Sequence, residues 1–276
     1  MTPSIKVVPN ENLHVSEPDP RWFGNGPNES DNPAWTNPNW LKSRFHFSFA
    51  EYSSHKNQEF GVIRVMNDDL VQPKRGFGKH PHRDMEILTY VVEGELSHQD
   101  SMGTQESLGR GAIQFMTAGK GVMHSEFNHG ETPVRFIQTW IVPSSTGLTT
   151  NYGSCSGNAT ARKNKLQHLV SNIKDTSVAT PVQIHQDADA YATELDLAEK
   201  VSLEIPNGRQ GYLLCIEGGV KVNGVQLKKY DACEITGTGG TLEIVATHVE
   251  STENGNVAHV LLFTMKAVVG SGRKDL

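Results

Sequence analysis

The sequence predicts an all-β protein built as two tandem β-barrels, and three observations carry that expectation. Short segments such as "RFHFSFAEY" (44–52) alternate apolar and polar residues and are separated by turns containing glycine; alternation of period two is the signature of a half-buried strand. No long segment has the 3.6-residue period of an amphipathic helix. Finally, "GYLLCIEGGVKVNGVQLKKYDACEI" echoes "ILTYVVEGELSHQDSMGTQESLGRGAIQF". Each reads as a strand, a Glu-Gly turn, a polar strand, a second turn and a further strand. A divergent internal repeat of this kind points to two barrels rather than one.

The elements follow in chain order. Residues 1–40 form a proline-rich arm, with five prolines between positions 16 and 40. Proline offers no N–H to a ladder and steers the preceding residue away from helix, so an extended surface segment is expected, anchored by Trp22, Trp35 and Trp40. Phe45, Phe47 and Phe49 then share one strand face, with His46 and Ser48 on the other. Strands in "FGVIRVMNDD", "MEILTYVVEG", "LSHQDSMG", "GAIQFMTAGKG" and "RFIQTWIVP" complete a first barrel over residues 41–143. Residues 144–165, rich in Ser, Thr, Gly and Asn, read as a linker. A second barrel over 166–276 takes its strands from "VQIHQDADAYATELD", "KVSLEIPNG", the repeat segment, "GTLEIVAT" and "AHVLLFTM".

Composition excludes several classes. The chain has 276 residues, 36% hydrophobic and 20% charged, as in an ordinary soluble globular protein. A net charge of −6 argues against a general attraction to nucleic acid or an anionic membrane. Its three cysteines, Cys155, Cys215 and Cys233, are widely spaced and include no C-x-x-C, which suggests a reducing compartment without a disulfide framework. Cys215 and Cys233 read as small apolar core residues. No signal-peptide pattern opens the chain, and no apolar run reaches the roughly 18 residues of a membrane span. The expectation is a cytoplasmic protein, also nuclear if the source is a eukaryote, without direct nucleic-acid or membrane partners.

Chemistry concentrates in "GKHPHRDMEILTYVVEG" (78–94) and "TAGKGVMHSEFNHG" (117–130). Residues two apart on a strand point to one side, so His80 and His82 aim two imidazoles into the same space. An unbroken strand would add Asp84 and Glu86 to that side. His124 and Glu126 form a second such pair. An isolated H-x-H is most simply a pair of solvated histidines. Two paired clusters in one β-module instead predict convergence of three nitrogens and one carboxylate, a donor set suited to Fe(II) and also to Mn, Co, Ni, Cu or Zn. Four protein ligands around an octahedral ion leave two positions open, unlike a closed tetrahedral structural site. The second half has no H-x-H, and its histidines, His168, His185, His248 and His259, are scattered.

These motifs, "GFGKHPHRDMEILTYVVEGELSHQDSMG" with "MTAGKGVMHSE", closely resemble the pirin family of the cupin superfamily. The resemblance extends to "NWLKSRFHFSFAEY", "RVMNDDLVQPKRGFG" and "IQTWIVP", and more weakly to "HVLLFTM". It implies two tandem cupin (jelly-roll-like) barrels, with one divalent metal in the first and none in the second. The residues that match the family's metal ligands are His80, His82, His124 and Glu126. Glu86 matches a ligand of the wider cupin pattern but not of pirins, and His98 matches a pocket-wall position. Some bacterial pirins oxidise flavonols with O2 as quercetin 2,3-dioxygenases, which implies a small aromatic substrate, with Glu126 as both ligand and general base. Animal pirins are described as iron-dependent nuclear co-regulators of transcription factors, which implies a redox-sensing binding protein instead. The wording of "DMEILTYV" and "SHQDSMG" leans toward the bacterial branch.

Overall fold

The structure, a computed structural model, describes residues 2–267; the end of the second expected barrel, residues 268–276, lies outside them. The chain is almost entirely β. Its helical elements among the described residues are two 3-10 turns, Asn10–Asn12 and Pro20–Phe23, and one α-helical turn, Ala159–Arg162. None is long and apolar enough to cross a membrane. The chain divides into two compact units, His14–Gly157 and residues 2–13 with 158–267. Both are cupin-like. Each is a pair of open sheets rather than a barrel closed by a continuous ladder.

In the unit His14–Gly157, a seven-stranded sheet runs in the order Asn151–Cys155, Ile113–Thr117, Glu86–Glu93, Val134–Ile141, Ile63–Val71, Leu41–Phe45, His14–Ser16. A four-stranded sheet runs Gly76–His82, Val122–Phe127, Leu96–Asp100, Gln105–Leu108. Apolar side chains from both sheets, among them Leu41, Val71, Val91 and Phe136 from the larger and Leu96 and Leu108 from the smaller, join with Trp35 and Trp40 in one core. Burial of such a cluster at about 25 cal/mol per Å² is the main force holding the sheets together.

The proline-rich segment is fixed at defined points. Trp40 is fully buried and its Nε1–H donates to the Pro18 carbonyl at 3.0 Å. Trp35 is buried, but Trp22 is 61% exposed and so is no core anchor. Phe23 does that work instead, edge-on to Trp40 at 5.9 Å and to Phe77 at 5.1 Å. The strand carrying Phe45 ends there. Phe47 is buried and Phe49 half-buried, yet His46 and Ser48 are buried as well, because the chain bends rather than continuing the alternation.

The second unit repeats the plan. Its larger sheet runs Ser4–Val8, Ala232–Thr236, Arg209–Glu217, Gly255–Lys266, Ala188–Leu195, Gln167–Asn172, Val182–Ile184, with Glu250–Thr252 beside Gly255–Lys266. Ser4–Val8, at the start of the arm, therefore pairs antiparallel with Ala232–Thr236. The four-stranded sheet runs Lys200–Ile205, Gly240–His248, Gly219–Val222, Val225–Lys228. Val201, Val220, Leu242 and Ile244 from the smaller sheet pack against Leu213, Cys215, Val260 and Leu262 from the larger. Cys215 and Cys233 are free and buried in that core.

One glycine governs the junction of the two strands that carry the motifs. A Cβ on Gly76 would lie 2.4 Å from the Glu126 carbonyl oxygen and 2.6 Å from Phe127 Cα, both backbone atoms. Gly76→Ala should force Gly76–His82 away from Val122–Phe127. Overpacking of this kind costs about 1–3 kcal/mol, so thermal denaturation followed by circular dichroism should show a loss of several degrees in Tm. An unchanged Tm would show that the two strands yield easily.

Candidate metal centre

Strands Gly76–His82 and Val122–Phe127 pair antiparallel, with His124 opposite His80 and Val122 opposite His82. The register shifts between His124 and Glu126, so that Glu126 faces Phe77. Two residues on one strand thus span three on the other, a β-bulge, which re-aims side chains locally. It allows Phe77, His80 and His82 all to line one cavity although strict alternation would turn Phe77 away. After His82 the strand stops. Asp84 has a left-handed φ of 48° and accepts a hydrogen bond from the Gly147 N–H at 2.7 Å. Asp84 and Glu86 therefore do not continue the histidine row. Glu86 opens a strand of the larger sheet, is fully buried, and accepts from Thr117 Oγ1 at 3.4 Å.

Ligand atoms of His80, His82 and His124 lie within 4.8 Å of one another, and the carboxylate of Glu126 falls in an overlapping group with His124 and His98. The His80 ring nitrogen Nδ1 lies 2.7 Å from the Gly78 carbonyl; that contact requires Nδ1–H and leaves the Nε2 lone pair free. Nε2 of His80 lies 3.1 Å from Nε2 of His124. Ligands at right angles around an ion with bonds of about 2.1 Å are separated by about 3.0 Å, so these two nitrogens have the spacing of neighbouring octahedral positions. His82 Nε2 is buried and has no hydrogen-bond partner. Such an orphan is costly unless something else satisfies it. Burial, followed by the neighbouring imidazoles, pushes the His82 and His124 pKa values down to about 3, which keeps both rings neutral and able to donate lone pairs. The residues present fit a divalent transition metal.

Glu126 is held from the opposite sheet. Its Oε1 accepts from Thr89 Oγ1 at 3.1 Å and from Gln114 Nε2 at 3.1 Å, and its Oε2 accepts from Gln138 Nε2 at 2.6 Å. Both amides are oriented by their other ends: Gln138 Oε1 accepts from Trp140 Nε1 at 3.0 Å, and Gln114 Oε1 from the Tyr152 hydroxyl at 3.0 Å. A carboxylate offers about four lone-pair directions. Three are used, and the remaining one is on Oε2.

The cavity beside these groups measures about 220 Å³ and is walled by Phe45, Phe49, Phe77 and Trp140, with Pro18, Trp22 and Phe23 of the arm at its edge. Trp140 packs edge-on to His82 at 4.8 Å and to Phe49 at 5.3 Å. His98 does not line it. Its ring stacks on Tyr152 at 4.6 Å, its Nε2 lies 3.3 Å from Asp100 Oδ2, and it borders a separate polar cleft with Glu106 and Ser125. Sequence reasoning missed Gln114, Gln138, Asn67 and Asp69. The available signal was a polar residue at an inward position of an otherwise apolar strand, as in "AIQF", "FIQTW" and "RVMNDD". Burial, and next the nearby charges of Asp68 and Glu126, push the Asp69 pKa up to about 8 against the opposing hydrogen bond from Ser43.

Two outcomes are expected of the purified protein. His82→Ala and His124→Ala should each abolish stoichiometric metal content by elemental analysis while the circular dichroism spectrum is kept; full occupancy in both would refute the ligand assignment. In the metal-free protein, the unfolded chain binds more protons at these two histidines than the folded chain between pH 6.5 and about 3. Their contribution to stability is therefore complete above pH 6.5 and is lost as pH falls through that window. Tm should decline less steeply with acid in His124→Asn than in the wild type, and equal slopes would contradict the shifts.

Comparison with known proteins agrees with the fold. A family model described as Pirin matches residues 29–141, and a second, described as the quercetinase C-terminal cupin domain, matches 169–265. The chain is 36% identical over 233 residues to a quercetin 2,3-dioxygenase of Escherichia coli, covering 84% of this chain and 94% of that protein. It is 39% identical over 196 residues to a pirin-like protein of Caulobacter vibrioides, covering 71% and 84%. A solved bacterial pirin from Escherichia coli, in complex with nickel(II), superposes with a TM-score of 0.76 at 30% identity over 96% of this chain and 100% of that one. Two cupin-like units, a cluster of three imidazoles beside a buried carboxylate, and relatives spanning nearly its whole length identify this chain as a member of the pirin family.

Proposed function

We propose that this protein is a metal-dependent dioxygenase that acts on flavonols such as quercetin with O2, using Fe(II) held by His80, His82, His124 and Glu126. The observation that carries the reading is the single unused lone pair on Glu126 Oε2, in a carboxylate that lines an aromatic-walled cavity beside three clustered imidazoles. A relative named quercetin 2,3-dioxygenase supports it. The bound metal would supply a Lewis acid that lowers the pKa of a flavonol hydroxyl and orients the resulting oxygen.

The chain's own residues do the rest. Phe45, Phe49 and Trp140 offer faces against which a planar ring can lie. The one unused lone pair of Glu126 Oε2, which would otherwise hold the metal, takes the hydroxyl proton once substrate is present, and Gln138 keeps that oxygen in place from the other sheet. The Trp140 indole N–H in turn fixes the Gln138 amide. Closed in by the phenylalanines, the proton transfer occurs with little competing water.

Glu126→Gln keeps the size of the side chain and removes the base. Oxygen consumption with quercetin should fall about 10²- to 10⁴-fold, far more than metal content falls. A parallel loss of both would make Glu126 a ligand only. If the wild-type protein loaded in turn with Fe, Mn, Co, Ni and Cu consumes no oxygen and bleaches no flavonol, the dioxygenase reading fails. The metal-dependent binding protein then takes its place, testable by pull-down with the site filled and empty.

A further inference from the structure

The cavity has a second polar wall that the proposed reaction does not use. His80, His82 and Glu126 reach it from the four-stranded sheet, whereas Ser43, Asn67 and Asp69 reach it from the seven-stranded sheet. Asn67 and Asp69 are two apart on Ile63–Val71 and so share its inner side. Asp68 between them points away and forms a two-bond ion pair with Arg135, at 2.8 and 2.6 Å. Ser43 lies opposite Asp69 in register, and Phe45 opposite Asn67.

An inward strand position packed on a core is ordinarily apolar. Here three in one patch are polar, and Ser43, Asn67 and Asp69 are 0%, 3% and 3% exposed. Ser43 Oγ donates to Asp69 Oδ1. Asn67 Oδ1, by contrast, is buried and accepts no hydrogen bond from the protein. A buried carbonyl oxygen left in that state calls for a donor from outside the chain. The rings of Phe45 and Trp140 line the space beside it.

We infer that Asn67 and Asp69, backed by Ser43, form a second subsite that hydrogen-bonds a hydroxyl of the ligand other than the one directed at the histidines. The ligand class is a planar aromatic bearing several hydroxyl groups, in preference to one carrying the chelating hydroxyl alone. This inference rests on the flavonol reading of the cavity and narrows it.

The test is anaerobic titration of the metal-loaded protein, followed by quenching of tryptophan fluorescence. The two probes are quercetin and 3-hydroxyflavone, which shares the chelating 3-hydroxyl and 4-carbonyl but lacks the other hydroxyls. The wild type should bind quercetin about tenfold or more tightly than 3-hydroxyflavone, as expected where a buried acceptor meets or misses its donor. Asn67→Leu, of similar volume, should weaken quercetin about tenfold and 3-hydroxyflavone less than about twofold, with metal content unchanged. Asn67→Ala should do the same and serves if the leucine variant does not fold. Equal binding of the two probes by the wild type, or equal weakening of both in the variants, would overturn the subsite. Discrimination without oxygen uptake once air is admitted would sink the dioxygenase reading and leave the subsite standing. Turnover without discrimination would do the reverse, and binding of neither probe would remove both.

Discussion

A buried carboxylate ties the metal-binding unit together. Glu126 leaves the four-stranded sheet and receives hydrogen bonds from Thr89, Gln114 and Gln138, on three strands of the seven-stranded sheet. Hydrogen bonds to a charged group are each worth about 1.5–3 kcal/mol, and the same carboxylate buried without them would be strongly destabilising. The three donors therefore fix how far apart the sheets stand and where the carboxylate points. The cavity exists in the gap so defined. His80 and His82 sit on its near wall, the Nε2 of His80 lying 3.1 Å from that of His124, and the aromatic residues of the larger sheet and the arm close the remainder.

The two units show what the same topology does with different inward residues. The strand order of the four-stranded sheets corresponds, Gly76–His82 with Lys200–Ile205 and Val122–Phe127 with Gly240–His248. Where the first unit turns imidazoles and a carboxylate inward, the second turns in Val201, Leu203, Leu242 and Ile244, and these fill its interior. An aliphatic core offers no lone pair to an ion, and its close packing is worth more to stability than a polar cavity would be. Among its buried polar groups, Arg162 Nε lies 3.1 Å from Glu194 Oε1, and His259 Nδ1 lies 3.0 Å from Glu217 Oε2. The first unit keeps a cavity lined by polar and aromatic side chains, and the second fills its interior with aliphatic ones.

Much of this was legible in the sequence because it follows from local periodicity. The alternation in "RVMNDD" and "RFIQTWIVP" marks strands, and the i, i+2 spacing of His80 with His82 and His124 with Glu126 marks a shared direction. Other features were not legible because they arise from pairing. The bulge opposite His124 and Glu126 depends on how two distant strands meet, and the left-handed turn at Asp84 depends on its bond to Gly147. Nothing local indicates that Ser4–Val8 pairs with Ala232–Thr236. Gln114 and Gln138 stand out only as polar residues in apolar strands, and what they serve is seen once Glu126 is placed between them. Among the tryptophans, bulk alone did not separate the buried Trp40 from the exposed Trp22; that needed the position of the Pro18 carbonyl.

X-ray absorption at the edge of the bound metal, on the iron-loaded protein before and after anaerobic addition of quercetin, probes the centre most directly. The account predicts a first shell of nitrogen and oxygen only, with the outer-shell scattering of three imidazoles, unchanged in imidazole count when quercetin binds. A shell containing sulfur, or scattering from fewer than three imidazoles, would contradict the placement of the metal between His80, His82 and His124.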